Sequence, residues 1–485
     1  MDKEFSGTGH LIDIYDKEKK PKGFVFLWVR GVEDSDAVEC LPQETSKIND
    51  SIREEGFIKE YYVANFQEIP FKHPQTHGFT IETFPIWIFW DRSKQEFKHK
   101  LFLIGIKNLL LSRGNFFPSN YAGGVVTGND FFNREATIEE VWQRLQEKNL
   151  LITAPRRFGK TSLLYVIRDN PKEDYRCIHI DLEKVYSPLD FAARCTAAVR
   201  AKDEVERNKI EEEIRKTNIN WQSKAEETFK EIRRSRLLFL MDEFSYMLDN
   251  FFEKLKRKEI EEFLQWFARK REGEKYLRFI LTGSIDIEVY IEDKNINQRY
   301  FADFDRLKLS PFKEEEAELL VEGLLYGQGV YLEKEIIEEI VKSIHPAYPY
   351  FLQIFTGQII SYYRKYKSIT VKDIPHIYEN QLLGPNCRRY LDDLYHHILR
   401  HYGGERTRKA EVLLDELSKS PQGVRIAELQ HIYLSKFRDA KDIEILLGYL
   451  EYDVYLEKKD NAYRFSSPLL REYWKRYQFK RRLKE

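Results

Sequence analysis

The sequence predicts an α/β protein: a parallel sheet flanked by helices, preceded by a mostly β module and followed by helices that end in a small helical unit with a β wing. Three observations carry this. From about residue 129 to 311, short apolar runs that end in polar residues alternate with helical patterns, as in a parallel sheet with covering helices. Upstream, β-branched and aromatic runs are separated by charged or Gly/Pro turns. Beyond Pro311 helical periodicity dominates, until two short strand-like runs flank Asp460-Asn461.

The chain has 485 residues, too many for one ordinary core, so several domains are expected. Hydrophobic residues at 42% and charged residues at 33% describe a globular chain, and a net charge of −1 gives no overall pull toward nucleic acid or membrane. Cys40, Cys177, Cys195 and Cys387 match no paired metal-ligand or redox spacing, so a reduced cytoplasm is the expected setting. The N-terminus is not an apolar leader, and the most apolar run, Leu101 to Leu111, is too short to span a bilayer and contains Lys107. No membrane role is expected.

The first module, 1–120, opens with "GTGHLIDIYDKEKKPKGFVFLWV" (Gly7 to Val29), a hairpin pattern faintly similar to the first hairpin of an OB-type barrel. Phe24, Phe26 and Trp28 would then be stacking aromatics, although alternating aromatics are more often core, and the module is left unassigned. "EFK" at Glu96 to Lys98 has no acid at a nuclease-like upstream spacing. In the second region, 129–311, "REATIEEVWQRLQEK" places Ile138, Val141, Trp142 and Leu145 on one helix face. The highly charged stretch from Lys202 to Arg236 reads as a solvated helical insertion.

The chemistry begins after the apolar run "LLITA". "APRRFGKTS" (Ala154, Pro155, Arg156, Arg157, Phe158, Gly159, Lys160, Thr161, Ser162) has the spacing of a phosphate-binding P-loop, with Ala154 where the first glycine usually stands. Such a loop aims backbone N–H groups at a phosphate from a helix N-terminus. Lys160 would reach the β- and γ-phosphates, and Thr161 would bind Mg2+. A small residue is tolerated at the first position if its φ stays negative. "LLFLMDEF" adds Asp242 as a second Mg2+ contact and Glu243 as the general base for water. In "LTGS", Thr282 or Ser284 could contact the γ-phosphate or the water. ATP and Mg2+ are therefore the expected ligands.

These segments, with "NREATIEEVWQRL" and "LKLSPFKEEEAELLV", resemble the STAND branch of AAA-type P-loop ATPases from Asn129 to about Gln478. The resemblance implies that Asn133 and Arg134 lie near the adenine. It also implies a helical lid over 312–400, in which Pro349 of "HPAYPYFLQ" abuts the nucleotide, and a charge-stabilising arginine, Arg299 or Arg306, ahead of that lid.

Over 405–485 three helices, bearing Leu413, Leu414 and Leu417, then Ile426 and Leu429, then Ile443, Leu446, Leu447 and Leu450, precede a hairpin, which is a winged helix in outline. A winged helix normally reads DNA with its third helix. Here Lys436, Arg438 and Lys441 mix with Asp439, Asp442 and Glu444, a poor phosphate-binding face. The tail adds Lys475, Arg476, Lys480, Arg481 and Arg482. Asp393, His397 and His401 share one helix face and could bind a metal, though a polar face is the simpler reading. The leading expectation is a nucleotide-driven switch acting on a protein partner or homo-oligomer. The alternative is a nucleic-acid-binding ATPase (a loader, or a transposition or defence helper) that uses the winged helix and N-terminal module.

Overall fold

β3 (Asn149–Thr153), the strand that leads into the phosphate-loop sequence, lies inside a five-stranded parallel sheet of order β4-β5-β6-β3-β7. Its companions are β4 (Tyr175–Asp181), β5 (Arg236–Asp242), β6 (Leu277–Thr282) and β7 (Phe304–Lys308). β5 and β6 are near-continuous apolar runs because helices cover both faces of a parallel sheet. Leu237 to Met241 and Phe279 to Leu281 are all fully buried. The computed structural model describes residues 7–15, 21–30 and 123–479, apart from 128–129, 133, 173–174, 218, 231–235, 274–275, 327, 329, 331 and 438–441.

α1 (Glu135–Leu145) buries Val141, Trp142 and Leu145 as its periodicity predicts, and Trp142 packs on Tyr175 of β4 at a ring separation of 5.5 Å. α2 (Lys160–Asp169) follows β3 directly through the loop. α3 (Pro188–Arg200) is started by Ser187, whose hydroxyl accepts the Asp190 N–H at 3.1 Å, with proline at the first turn.

The charged stretch expected to be one solvated insertion contains two separate helices, α4 (Glu204–Lys216) and α5 (Trp221–Lys230). α4 keeps an exposed charged face. α5 exposes Glu227 and Lys230 but is anchored in the core, because Ala225, Thr228 and Phe229 are buried and Phe229 packs against Phe239 and Phe279. Mixed charge concealed an apolar stripe of only a few residues. α6 (Phe244–Lys254), α7 (Arg257–Gly273) and α8 (Ile287–Asp293) complete this region.

Four helices follow the sheet: α9 (Glu314–Tyr326), α10 (Lys334–Ser343), α11 (Pro349–Tyr366) and the short α12 (Asp373–Ile377). α13 (Pro385–His401) leads to the C-terminal unit of α14 (Gly403–Lys419), α15 (Ile426–Phe437), α16 (Ile443–Tyr452) and α17 (Pro468–Tyr473). Its sheet has the order β8-β10-β9, formed by β8 (Val424–Arg425), β9 (Leu456–Lys459) and β10 (Ala462–Phe465). The β9–β10 turn is Asp460-Asn461, both left-handed at φ 48° and 62°, as a two-residue hairpin requires. Gly423 (φ 92°) must be glycine, since a Cβ there would lie 2.6 Å from the Tyr463 carbonyl oxygen.

α16 packs onto α8. A Cβ on Gly448 would sit 3.3 Å from Val289 Cγ2, so the two helices approach closely. Asp293 at the end of α8 is nearly buried and pairs with Arg406, whose Nη1 is 2.7 Å from Oδ2, and accepts the Tyr449 hydroxyl at 3.2 Å. Tyr452 reaches past them and donates to the Gly283 carbonyl at the tip of β6 at 2.9 Å.

In the N-terminal module, β1 (Gly7–Tyr15) and β2 (Pro21–Arg30) pair antiparallel from Gly7↔Arg30 to Tyr15↔Pro21, with a register shift between Ile14 and Tyr15. The side chains of Phe24, Phe26 and Trp28, the rest of 1–120, and Arg438, Asp439, Lys441, Lys480, Arg481 and Arg482 lie outside the described residues. Among the described residues no helix is long and apolar enough to cross a membrane.

Phe239, fully buried and stacked on Phe279, tests the core. Phe239→Ala should cost about 3–5 kcal/mol in denaturant unfolding. A loss below 1 kcal/mol would contradict the packing described.

Candidate functional site

The loop between β3 and α2 places its glycine where geometry needs one. Gly159 caps α2 with φ 84° and ψ 23°, and Arg157 before it is also left-handed at φ 70°. Ala154 is fully buried and is not among the positive-φ residues, so its methyl group costs no backbone strain. Lys160 is buried and curls back on the loop, donating to the carbonyls of Ala154 at 2.5 Å and Pro155 at 2.9 Å. Burial lowers its pKa, a shift opposed by the charges of Glu243 and Asp242.

Asp242 ends β5, and β6 separates that strand from β3, so the acid is two strands away from the loop and not on the neighbouring one. The Thr161 hydroxyl nevertheless donates to its Oδ2 at 2.6 Å. The Thr282 hydroxyl, from the intervening β6, donates to Oδ1. His179 of β4 stands 4.0 Å from Oδ2 and is edge-on to Tyr165. Burial alone would raise the Asp242 pKa. The His179 ring and the two hydroxyls outweigh it and hold the carboxyl down at about 2.

Glu243 is the N-cap of α6 and left-handed at φ 57°. Its carboxylate accepts the Ser284 N–H at 2.9 Å and the Ser284 hydroxyl at 2.5 Å. Burial, reinforced by the neighbouring Asp242 charge, raises its pKa. Thr282, expected to meet the γ-phosphate or water, gives its hydroxyl to Asp242 and is not among the residues that line the cavity. Ser284 lines the cavity and holds Glu243.

Of these groups, Gly159, Lys160, Thr161, Glu243 and Ser284 line a cavity of about 360 Å³. Its walls include Arg156, Arg157, Phe158, Gly159, Lys160, Thr161, Ser162, Glu243, Ser284, Arg134 and Pro349, all singled out from the sequence. Ser162 also ties the loop to the preceding segment by accepting the Val126 N–H at 3.0 Å. Arg134 is held by the Ser310 carbonyl at 3.0 Å and lies 4.6 Å from the Phe312 ring centroid. Phe158 packs on Tyr348 at 4.6 Å. Pro349 opens α11. Asn133 lies outside the described residues.

Arg299 and Arg306 are not brought to this cavity. Arg299 is exposed on a short 3₁₀ turn, and Arg306 is an exposed β7 residue paired with Glu288. The Asp393, His397 and His401 face holds no metal cluster: among the described residues no group of three or more metal-capable side chains occurs. Asp393 instead pairs with Arg157 at 2.8 Å and Arg156 at 3.6 Å, His397 lies 3.3 Å from Asp453, and the His401 ring meets the Tyr246 hydroxyl. Sequence reasoning missed that α13 supplies one wall, through Arg400 and His401. It also missed His179. A histidine two residues before the acid that ends "CIHID" was the one available signal.

The oxygen donors fit a hard divalent cation, since the Thr161 hydroxyl and the Asp242 carboxylate already face one another across the loop. The lysine resting on carbonyls of its own loop fits an anion that would displace them.

Strand order, loop and acid pair together define the fold class: an α/β nucleotide-loop fold with a C-terminal helical extension. No protein-family model matches the chain, and no curated protein matches it. Among solved structures, the chain resembles the Walker-type ATPase of Pyrococcus abyssi at 16% identity and a TM-score of 0.54, covering 74% of this chain and 98% of that one. Weaker likenesses are to the Aeropyrum pernix ORC2 protein (12% identity, TM-score 0.46, 73% and 95% covered) and the Thermotoga maritima RuvB Holliday junction branch migration motor (12%, 0.38, 71% and 95%). The first of these likenesses establishes the fold.

The low Asp242 pKa makes a stability prediction. A carboxyl depressed from about 3.9 in the unfolded chain contributes fully above that value, and the contribution is lost as pH falls toward about 2. Between pH 5 and 2 the wild type should lose about 2 kcal/mol more stability than Asp242→Asn in urea unfolding. Equal losses would show that Asp242 is not so perturbed.

Proposed function

We propose that the protein is a Mg2+-dependent P-loop ATPase of the AAA type, and that its nucleotide state controls how the C-terminal unit docks on the α/β core. The observation that carries this is the shared cavity: one wall is the phosphate loop with Glu243 and Ser284, and another is the end of α13, which leads into the C-terminal unit. A ligand bound there touches both parts, so it can bias their docking.

In this reading Lys160 exchanges the Ala154 and Pro155 carbonyls for phosphate oxygens, and the Gly159 to Ser162 backbone lies against the same phosphates. Thr161 and Asp242 would hold the magnesium ion, which when bound neutralises phosphate charge. Glu243 takes the proton of the attacking water. Its burial raises its pKa toward the range where a carboxylate is an effective base, while Ser284 aims it. Arg134, Phe312 and Pro349 fall on the side left for the base and sugar. Arg299, exposed and remote from its own cavity, would serve only a neighbouring copy in a homo-oligomer.

The helices of 312–400 then act as the lid, and the unit of α14 to β10 as a winged helix. A nucleic-acid reader would need α16 free. Its packing on α8, with Tyr449 and Leu450 buried and Tyr452 hydrogen-bonded to Gly283, supports a docked switch over a DNA-reading surface.

Turnover of Mg-ATP tests the assignment. Glu243→Gln should lower kcat by roughly 10²- to 10⁴-fold with ATP still bound, whereas Lys160→Ala should abolish binding. Wild-type protein that binds Mg-ATP and never hydrolyses it would refute the catalytic part. For the switch, DNA binding by the intact chain should show little dependence on salt. A steep negative slope of affinity with salt would favour the nucleic-acid reading.

A further inference from the structure

The turn at the tip of β6 carries hydroxyls for both members of the acid pair. Thr282 donates to Asp242, and Ser284, two residues on, gives its N–H at 2.9 Å and its hydroxyl at 2.5 Å to Glu243. Between them stands Gly283, where a Cβ would lie 2.3 Å from Ser245 Oγ, and the Ile285 N–H donates to that same oxygen at 3.2 Å. A side chain of α6 thus holds the turn from within the α/β core. The second hold comes from the C-terminal unit, where the Tyr452 hydroxyl at the end of α16 donates to the Gly283 carbonyl at 2.9 Å. Burial pushes that hydroxyl well above the ordinary tyrosine range, and the Ala154 backbone N–H at the start of the phosphate loop opposes the rise. Tyr452 also lines a cavity of about 10 Å³ with Ile152, Thr153, Thr282 and Gly283, where β3 and β6 leave the sheet. Its place is fixed by the helix face it shares with Gly448, four residues earlier, at which α16 meets Val289 of α8.

We infer that Tyr452 is a positioning residue for hydrolysis: the docked C-terminal unit sets the Glu243 carboxylate by holding the Gly283 carbonyl, with Ser284 as the link. This rests on the reading of Glu243 as general base and adds to it the source of its alignment. The Gly283 carbonyl and the Ser284 N–H are the two ends of one planar peptide unit. Tyr452 donates to one end, and the other end donates to Glu243 Oε2. Hydrogen bonds in such a chain strengthen one another, and the plane of the peptide is fixed from both sides. Without the hydroxyl the peptide is free to tilt, and the carboxylate it aims moves with it. Departure of α16 from α8 removes the same hold. A chain whose C-terminal unit has undocked therefore keeps its phosphate loop and loses the alignment of its base, which makes turnover depend on docking.

The test compares wild type, Tyr452→Phe, Ser284→Ala and the double variant as full chains in Mg-ATP turnover and in binding of a non-hydrolysable ATP analogue. Tyr452→Phe keeps the ring and removes the hydroxyl. It should lower kcat roughly 10- to 100-fold, the loss expected for a misplaced catalytic group, while analogue affinity changes less than about 3-fold. Added to Ser284→Ala it should cost little more, because both act through one link. A merely structural tyrosine would add its loss in full. Amide exchange needs no turnover: without nucleotide, the segment 282–285 should exchange faster in Tyr452→Phe than in wild type, with α2 unchanged. Unchanged exchange in that segment, wild-type kcat in Tyr452→Phe, or full additivity with Ser284→Ala overturns the assignment to Tyr452 and leaves the phosphate-site reading standing. Wild type that binds Mg-ATP without hydrolysing it overturns the catalytic reading, and the exchange result then decides the Tyr452 contact by itself.

Discussion

A carboxylate buried at the end of a strand must be met by donors, and Asp242 draws them from two separate elements with a third close by. The Thr161 hydroxyl comes from the first turn of α2 and the Thr282 hydroxyl from the end of β6, while the His179 ring of β4 stands 4.0 Å away. Leaving such an anion unpaired in the interior would be costly, so the register of three strands and the start of one helix are tied to its satisfaction. The chemistry of the cavity depends on that tie. The Thr161 hydroxyl is the bond that ties the phosphate loop to the strand end from which Glu243 follows.

Strain collects around the same point. Glu243 and Arg157 are non-glycine residues with left-handed backbones, each costing of order 1–3 kcal/mol, and they persist only because their surroundings hold them. Glu243 is held by two hydrogen bonds from Ser284, and Arg157 by its ion pair with Asp393 and a bond to the Gly123 carbonyl. The second restraint comes from α13. The conformation of the phosphate loop is thus partly supported from outside the sheet, by the helix that joins it to the C-terminal unit.

How much of this was legible in the sequence divides along physical lines. The loop, the acid pair, the apolar strands and the three helices with the Asp460-Asn461 turn were readable, because each rests on local periodicity or on turn chemistry within a few residues. β7 was not, since "FDRLK" has only alternate apolar residues and takes its place by pairing with β3 from Asn149↔Phe304 onward. The burial of α5 was hidden by its charges. The partners of Asp393, His397 and His401 were invisible for a different reason. Their spacing on one helix face was correctly seen, but each side chain turns to a different element more than a hundred residues away or across the C-terminal unit, and no local pattern encodes that. The bond from Thr282 to Asp242 was not legible either, because sequence gives the order along a strand and not which carboxylate a hydroxyl will find.

The close approach at Gly448 bears on competition. A helix face without a side chain at its centre, seated within van der Waals distance of Val289, has room for one occupant only. Any partner that needs this face of α16 must first wait for it to leave α8, and its measured affinity is reduced by the fraction of molecules in which that has happened. The Arg406, Tyr449 and Tyr452 bonds oppose that departure. For such a partner these bonds would act as a threshold, since the hydrogen bonds on α8 and at the tip of β6 must be broken before the covered face of α16 is free.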